Sequence, residues 1–280
     1  MTAHYSFLKM HGAGNDFVLI DATKNTFSPN FDFSKAAELL CHRHFGVGGD
    51  GLLTLEPSLV ADLRMRMWNP DGTEDMCGNG LRCVAALGWR QKYVQNAHFS
   101  VETIAGIRQI EALTDEIFTA TMGRPDFTPA QIPITVENAI NYDLVVENRT
   151  FKANSVTTGS THTVIFLEEP LSENDFQFFS PKIENHPLFP DRTSIMWAVE
   201  KEKNHFLIRI WERGVGETLA CGTGASAVGA IAKVTGRGEN EIFVESKGGT
   251  LIARWNAPEE EIFLTGPATY LFEGIWQGEL

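Results

Sequence analysis

The chain has 280 residues, 43% hydrophobic and 21% charged, proportions of a globular protein with enough length for two cores. Its net charge of −13, from 36 acidic against 23 basic residues, argues against nucleic acid or an anionic membrane surface as a partner. No apolar run reaches the roughly 20 residues of a membrane span, and Met1–Met10 lacks the layout of a secretory signal. The expected location is therefore the cytoplasm, where Cys41, Cys77, Cys83 and Cys221 are reduced thiols and not a disulfide framework.

In chain order, Phe17–Asp21 reads as a buried strand. Ser34–Arg43 reads as a helix capped by Ser34, with Ala36, Leu39 and Leu40 as its apolar face. Arg64–Trp68 alternates like a half-exposed strand, and Asn69-Pro70-Asp71-Gly72 carries strong turn chemistry. A helix is predicted after Gly80 over Leu81–Leu87, followed by strands at His98–Thr103, Arg108–Ala112 and Phe118–Met122. The second half repeats the order: a strand at Ile208–Trp211, a Gly-rich loop from Glu212 to Ala220, and a small-residue helix over Ala225–Ala232. Strands follow at Ile242–Glu245, Leu251–Trp255 and Ile262–Leu264.

The residues themselves repeat. Cys77-Gly78-Asn79-Gly80 is matched 144 positions later by Cys221-Gly222-Thr223-Gly224, and Val101–Gly106 is matched 143 positions later by Val244–Gly249. Two matches at nearly one offset point to a duplicated unit, the alternative being coincidence between Gly-rich loops. The expected division is 1–124 for the first half, carrying Cys77, and 125–266 for the second, carrying Cys221, with 267–280 returning to the first.

A Cys-Gly-x-Gly followed by a helix has a chemical reading. The glycines bring bare amides close to a ligand, and the helix start offers unpaired N–H groups and positive dipole. Such a place holds a carboxylate and lowers the pKa of a nearby thiol. Two such elements can hold one thiol on either side of one carbon, an arrangement that suits stereoinversion: one thiolate removes an α-proton while the other thiol delivers one. Neither a cofactor nor a metal is needed for that. Cys83, among Val84, Ala85 and Leu87, reads as packing, and so does Cys41, although His42, Arg43 and His44 adjoin it.

At these residues the chain resembles the diaminopimelate epimerase family. The resemblance runs nearly end to end, through Lys9–Phe17, Arg43–Gly51, Asn69–Thr73, Cys77–Cys83 and Trp211–Gly224. It implies an α+β fold of two pseudo-symmetric halves, each a curved barrel-like sheet around a central helix, with the active site in the cleft between them. It also implies a cofactor-independent two-cysteine mechanism, a small-molecule amino-acid substrate and a homodimer. By position, Cys77 and Cys221 become the acid–base pair, with His162 and Glu212 beside them to help ionise the thiols. The amides of Gly78, Asn79, Gly222 and Thr223 would hold the α-carboxylate. Asn15 would line the pocket and Asn69 contact the substrate's far end. Glu212 and Arg213 would meet substrate charges, Arg213 taking a distal carboxylate in a bidentate pair. Without the resemblance, His162 reads equally well as a core histidine and Glu212 and Arg213 as a solvated pair.

Three departures concern the substrate. Gly159-Ser160-Thr161-His162 stands where the family typically has Gly-Asn-Pro-His, Ser194 stands where it has asparagine, and the stretch from Asn69 to Cys77 is one residue shorter. Serine lacks the carboxamide, so distal hydrogen bonds would be lost or remade through water. The leading expectation is epimerisation of LL-diaminopimelate to the meso form. The alternative is a racemase of another polar amino acid, such as histidine. Remoter readings are a thiol redox protein using Cys77 and Cys221, against which the absence of a CxxC counts; a zinc protein using His42, His44 and His162; and a non-catalytic amino-acid-binding protein.

Overall fold

A computed structural model describes residues 5–24, 27–28 and 31–277. The expected return of 267–280 can therefore be followed to residue 277; residues 1–4, of the expected first half, and 278–280 lie outside the described set. The chain forms two compact units, residues 1–120 with 265–280, and residues 121–264.

In the first unit β1 (Tyr5–Gly12) and β2 (Asn15–Asp21) make an antiparallel pair, and α1 (Phe33–Leu40) connects β2 to its parallel neighbour β3 (Gly51–Glu56). β4 (Leu63–Trp68) runs antiparallel to β3, and the short β5 (Glu74–Asp75) pairs with its end. Helix α2 (Gly78–Arg90) then crosses to β6 (His98–Thr103), parallel to β4, and β7 (Gly106–Ala112) and β8 (Ile117–Thr121) follow as antiparallel neighbours.

The second unit opens with β9 (Tyr142–Val146), then runs the same course. β10 (Arg149–Thr157) and β11 (Thr161–Leu167) are antiparallel, α3 (Glu173–Glu184) leads to β12 (Ser194–Glu202) parallel to β11, and β13 (His205–Glu212) is antiparallel to β12. The short β14 (Gly216–Thr218) pairs with the end of β13; α4 (Gly222–Val234) crosses to β15 (Glu241–Ser246), parallel to β13; β16 (Gly249–Arg254) turns back on β15 and β17 (Phe263–Pro267) follows. The final strand β18 (Thr269–Trp276) pairs antiparallel with β1. Parallel joins fall at the same two places in each unit, each bridged by a helix, so the duplication read from two short motifs extends to the whole topology. The fold is the expected sheet-dominated α+β architecture of two pseudo-symmetric halves.

The strands bury both faces. In the first unit Phe17, Leu19, Leu53 and Leu55 pack with Leu81, Val84 and Leu87 of α2. Val18, Ile20 and Leu52 point the other way, onto Ala36, Ala37 and Leu40 of α1. That is why β2 reads as an unbroken apolar run and not as an alternation. Helix α2 touches β1, β2, β3, β4 and β7, and α4 touches β10, β11, β12, β15 and β16, so each sheet curves around one central helix. Phe176, Phe179 and Ile183 of α3 cover the outer face of the second sheet, against Ile165, Ile195 and Trp197.

Two local expectations are corrected. Asp32, not Ser34, caps α1 by accepting from the Lys35 amide, whereas the Ser34 hydroxyl donates to the Gly72 carbonyl. The central helices begin at Gly78 and Gly222, immediately after each cysteine. Their glycines therefore serve close packing, not a turn: a Cβ at Gly80 would lie 2.8 Å from Leu53 Cδ2, and one at Gly224 2.5 Å from Met196 Cε.

Candidate active site

Both cysteines are helix N-caps. Cys77 precedes α2 at φ −132°, ψ 121°, and Cys221 precedes α4 at φ −133°, ψ 115°. An extended N-cap followed by a helical turn leaves the first amides without intrahelical acceptors. In the second unit these are the N–H groups of Gly222 and Thr223, and in the first those of Gly78 and Asn79.

Around Cys77 the loops supply a polar frame. The Cys77 thiol donates to Asn15 Oδ1 at 3.5 Å, and Asn79 Nδ2 donates to the same oxygen at 3.2 Å. Asn15 is held from its other end, where Nδ2 donates to Asp50 Oδ2 at 2.8 Å. Asp50 also accepts the Asp16 amide and pairs with Arg43, which in turn pairs with Asp16, the partner of the buried Lys9. The sequence blocks around Asn15 and Asp50 thus meet in space because β2 and β3 are parallel neighbours. Arg82, one turn into α2, is fully buried and donates to Asn79 Oδ1 at 2.6 Å.

Cys221 is 6% exposed; its sulfur accepts the Gly224 amide at 3.3 Å and lies 3.4 Å from Thr223 Oγ1. Burial pushes this thiol well above its ordinary pKa, and the adjacent Glu212 carboxylate adds to the rise. Desolvation and the neighbouring anion thus oppose the acidification expected of a helix start, while the Gly224 amide and the Thr223 hydroxyl favour the thiolate. Glu212 is fixed in turn by the Thr218 hydroxyl, which β14 brings against the end of β13.

Other expected residues gather at this end of the second unit. His162 on β11 is 1% exposed, and neither ring nitrogen has a hydrogen-bond partner among the described residues. Burial and then the positive charge of Arg213 lower its pKa to about 3, so the ring is neutral. Ser194 is its neighbour on the parallel strand β12. The Ser194 hydroxyl accepts the Arg213 amide at 3.1 Å, and the Arg213 guanidinium donates to the Asp191 carbonyl at 3.0 Å. Glu184, which sequence reasoning missed, anchors this loop: its carboxylate accepts Trp211 Nε1 at 2.7 Å and the Gly214 amide at 2.8 Å and pairs with Arg192. Ser160 lies in the β10–β11 turn, its carbonyl accepting the Thr158 amide, and Thr158 Oγ1 reaches the Thr223 carbonyl at 3.1 Å. Asn69 belongs to the first unit, where its amide group donates to Thr73 Oγ1 at 3.1 Å and closes the turn before β5.

Cys41 and Cys83 are buried, and desolvation raises both to about 12, which leaves them as packing groups. His42 Nδ1 accepts the amides of His44 and Phe45. Among the described residues no three His, Cys, Asp or Glu side chains cluster as a metal site.

A family model described as diaminopimelate epimerase matches residues 7–128 and 154–271. The chain is similar to the diaminopimelate epimerase of Desulfitobacterium hafniense, 40% identical with 96% of each chain covered. It is also similar to that of Carboxydothermus hydrogenoformans, 41% identical over 96% of this chain and 98% of the relative. Among solved structures, a probable proline racemase from Agrobacterium radiobacter shares the fold with a TM-score of 0.71 at 14% identity, covering 99% of this chain and 93% of the other. A Bacillus anthracis phenazine biosynthesis protein of the PhzF family does so with a TM-score of 0.67 at 20% identity, covering 98% of this chain and 99% of the other.

Proposed function

Because the chain belongs to the diaminopimelate epimerase family, we propose that it interconverts LL- and meso-diaminopimelate by moving one α-proton between two thiols and the substrate. The observation that carries this reading is the pair of N-cap cysteines at equivalent places in two equivalent units. One thiolate takes the α-proton, so a C–H bond becomes an S–H bond and the electron pair stays on the substrate. The opposite S–H then delivers its proton to the other face, and the net change is configuration alone. The reading requires the two halves to present both thiols to one carbon. The free first-turn amides of Gly78, Asn79, Gly222 and Thr223 bind the α-carboxylate and stabilise the charge that builds on it. Glu212 takes the Cys221 proton when that thiol acts as base. His162 stays neutral beside the reaction and adds no competing charge. Asn15 orients Cys77, Asn69 and Ser160 contact the substrate's far end, and Arg213, its backbone held by Ser194, binds a distal carboxylate. The chemistry needs no cofactor and both thiols reduced, which fits the cytoplasm.

We also propose a homodimer. Leu271, Phe272 and Ile275 of β18 stand about half or more exposed, apolar surface on one strand suited to a second copy of the chain.

A second reading keeps the mechanism and changes the substrate to another polar amino acid. It is favoured by Ser194, whose hydroxyl oxygen is engaged by the Arg213 amide where the family carries an asparagine. Incubation in D2O under reducing conditions, with LL-diaminopimelate and a panel of L-amino acids, separates the two. Deuterium enters the α-position of diaminopimelate, and Cys77→Ala and Cys221→Ala each abolish inversion. Exchange confined to a different amino acid would transfer the assignment to that substrate. The absence of any exchange would remove the two-thiol reading.

A further inference from the structure

Glu184 is the last residue of α3 and is 6% exposed. A buried carboxylate has to be met by donors, and those that meet this one come from two loops. Oε2 accepts the Trp211 indole N–H at 2.7 Å, and Oε1 accepts the Gly214 amide at 2.8 Å and the Arg192 guanidinium at 3.1 Å. The Glu184 backbone carbonyl also accepts the Thr193 amide, at 3.3 Å. Trp211 and Gly214 stand immediately on either side of Glu212 and Arg213. One carboxylate therefore fixes the main chain before and after that pair.

The second loop reaches Arg213 from its other end. Arg192 adopts φ 60°, a left-handed conformation that costs an L residue free energy. In that turn its guanidinium meets Glu184, while the carbonyl of the preceding Asp191 accepts the Arg213 guanidinium at 3.0 Å. Ser194, two residues on, accepts the Arg213 amide. No carboxylate pairs with Arg213 among the described residues, so the other N–H donors of its guanidinium are left for an anion. The first unit lacks this arrangement. Its α1 ends at Leu40, 144 positions before Glu184, the offset that also separates the two cysteines. Leu40 shares an apolar cluster with Trp68, and the turn Asn69–Thr73 is held by its own side chains and by the Ser34 hydroxyl. The carboxylate is thus present where the loop carries Glu212 and Arg213, and an apolar side chain replaces it where the loop does not.

Resting on the assignment of Arg213 to a distal carboxylate of the substrate, we propose that Glu184 is a positioning residue that sets Arg213 for that contact and so fits the protein to dicarboxylic amino acids. Its carboxylate holds the Arg213 main chain through Trp211 and Gly214, and the guanidinium through Arg192 and Asp191. Glu212 is fixed separately by the Thr218 hydroxyl, so the loss of Glu184 falls on substrate binding more than on proton transfer.

Kinetics of the whole reduced protein on LL-diaminopimelate supply the first arm of the test. Glu184→Gln keeps the side chain's size but turns an NH2 group toward donors. KM then rises about tenfold while kcat falls less than about threefold. Trp211→Phe removes a single donor and keeps an aromatic ring; it raises KM about two- to fivefold and carries the test if Glu184→Gln does not fold. In a protein already carrying Arg213→Ala, Glu184→Gln raises KM no further, whereas additive effects would reveal a general structural role and overturn the proposal. So would an unmoved KM in the single variants, or a loss confined to kcat. The second arm needs no substrate: amide hydrogen exchange is read by mass spectrometry on the free protein. In either single variant exchange speeds up in residues 191–194 and 211–216 and stays as in the parent in residues 69–75. Unaltered exchange in the first two segments would overturn the tie. A parent protein that inverts no amino acid would remove the reading on which this one rests, a failure distinct from that of the Glu184 tie, which the exchange arm still decides.

Discussion

His162 shows how burial converts a titratable group into a fixed one. Its folded pKa of about 3 lies below the ordinary 6.5, so between those values the unfolded chain binds a proton that the folded chain refuses. Stability is therefore complete above about pH 6.5 and falls as the pH drops toward 3, by at most about 1.4 kcal/mol per pH unit from this group. Urea midpoints at pH 7 and pH 4.5 test it: His162→Leu removes part of the acid sensitivity, and an unchanged pH slope would show that the ring is not the titrating group. Ser194 supports a second expectation at this scale. Its hydroxyl accepts the Arg213 amide, so Ser194→Ala leaves that amide without its partner and loosens the guanidinium. The loss of one such bond is worth about 1 kcal/mol. KM for a dicarboxylic amino acid rises several-fold while kcat changes less, and a selective fall in kcat would place Ser194 in the chemistry instead.

At the scale of elements, the two central helices decide whether the thiols are presented at all. Helix α4 approaches β16 so closely that a Cβ at Gly229 would lie 2.6 Å from Ala253 Cβ, and neither atom ends a flexible chain. Gly229→Ala therefore pushes helix and strand apart and destabilises the protein by about 1–3 kcal/mol. Thermal melting reads the loss, and an unchanged Tm would mean that the helix shifts without cost. The helix starts were legible in the sequence because Cys-Gly-x-Gly marks them twice, although each first turn begins three residues earlier than glycine's reputation as a breaker implies. Helix α3 was not legible. Pro181 inside it and its clustered phenylalanines mask the period, and packing of Phe176, Phe179 and Ile183 on the sheet holds it in place.

At the scale of the molecule, the exposed apolar residues of β18 bear on assembly. Light scattering coupled to size exclusion gives a dimer for the intact chain, and Phe272→Glu with Ile275→Glu shifts it to a monomer that keeps its circular dichroism. A monomeric parent protein would remove the dimer proposal. The repeat of topology between the units also bears on the chemistry, because a duplicated frame supplies two equivalent N-caps without requiring equal surroundings. Arg82 against Ser226, at positions 144 apart, is a point where the copies have diverged.

The sequence by itself determined the duplicated unit, the helix that follows each cysteine, most of the strands around those helices and the residues to examine, because periodicity, turn chemistry and short-range motifs are local properties of the chain. What only the tertiary structure decided is the state of those residues. The Cys221 thiol is raised by burial and by Glu212, Asn15 is aimed by Asp50 across parallel strands, Ser194 accepts the Arg213 amide, and Arg82 is sealed from solvent. Each depends on groups far apart in the chain and on the exclusion of water between them, and desolvation has no signature in a linear pattern of residues.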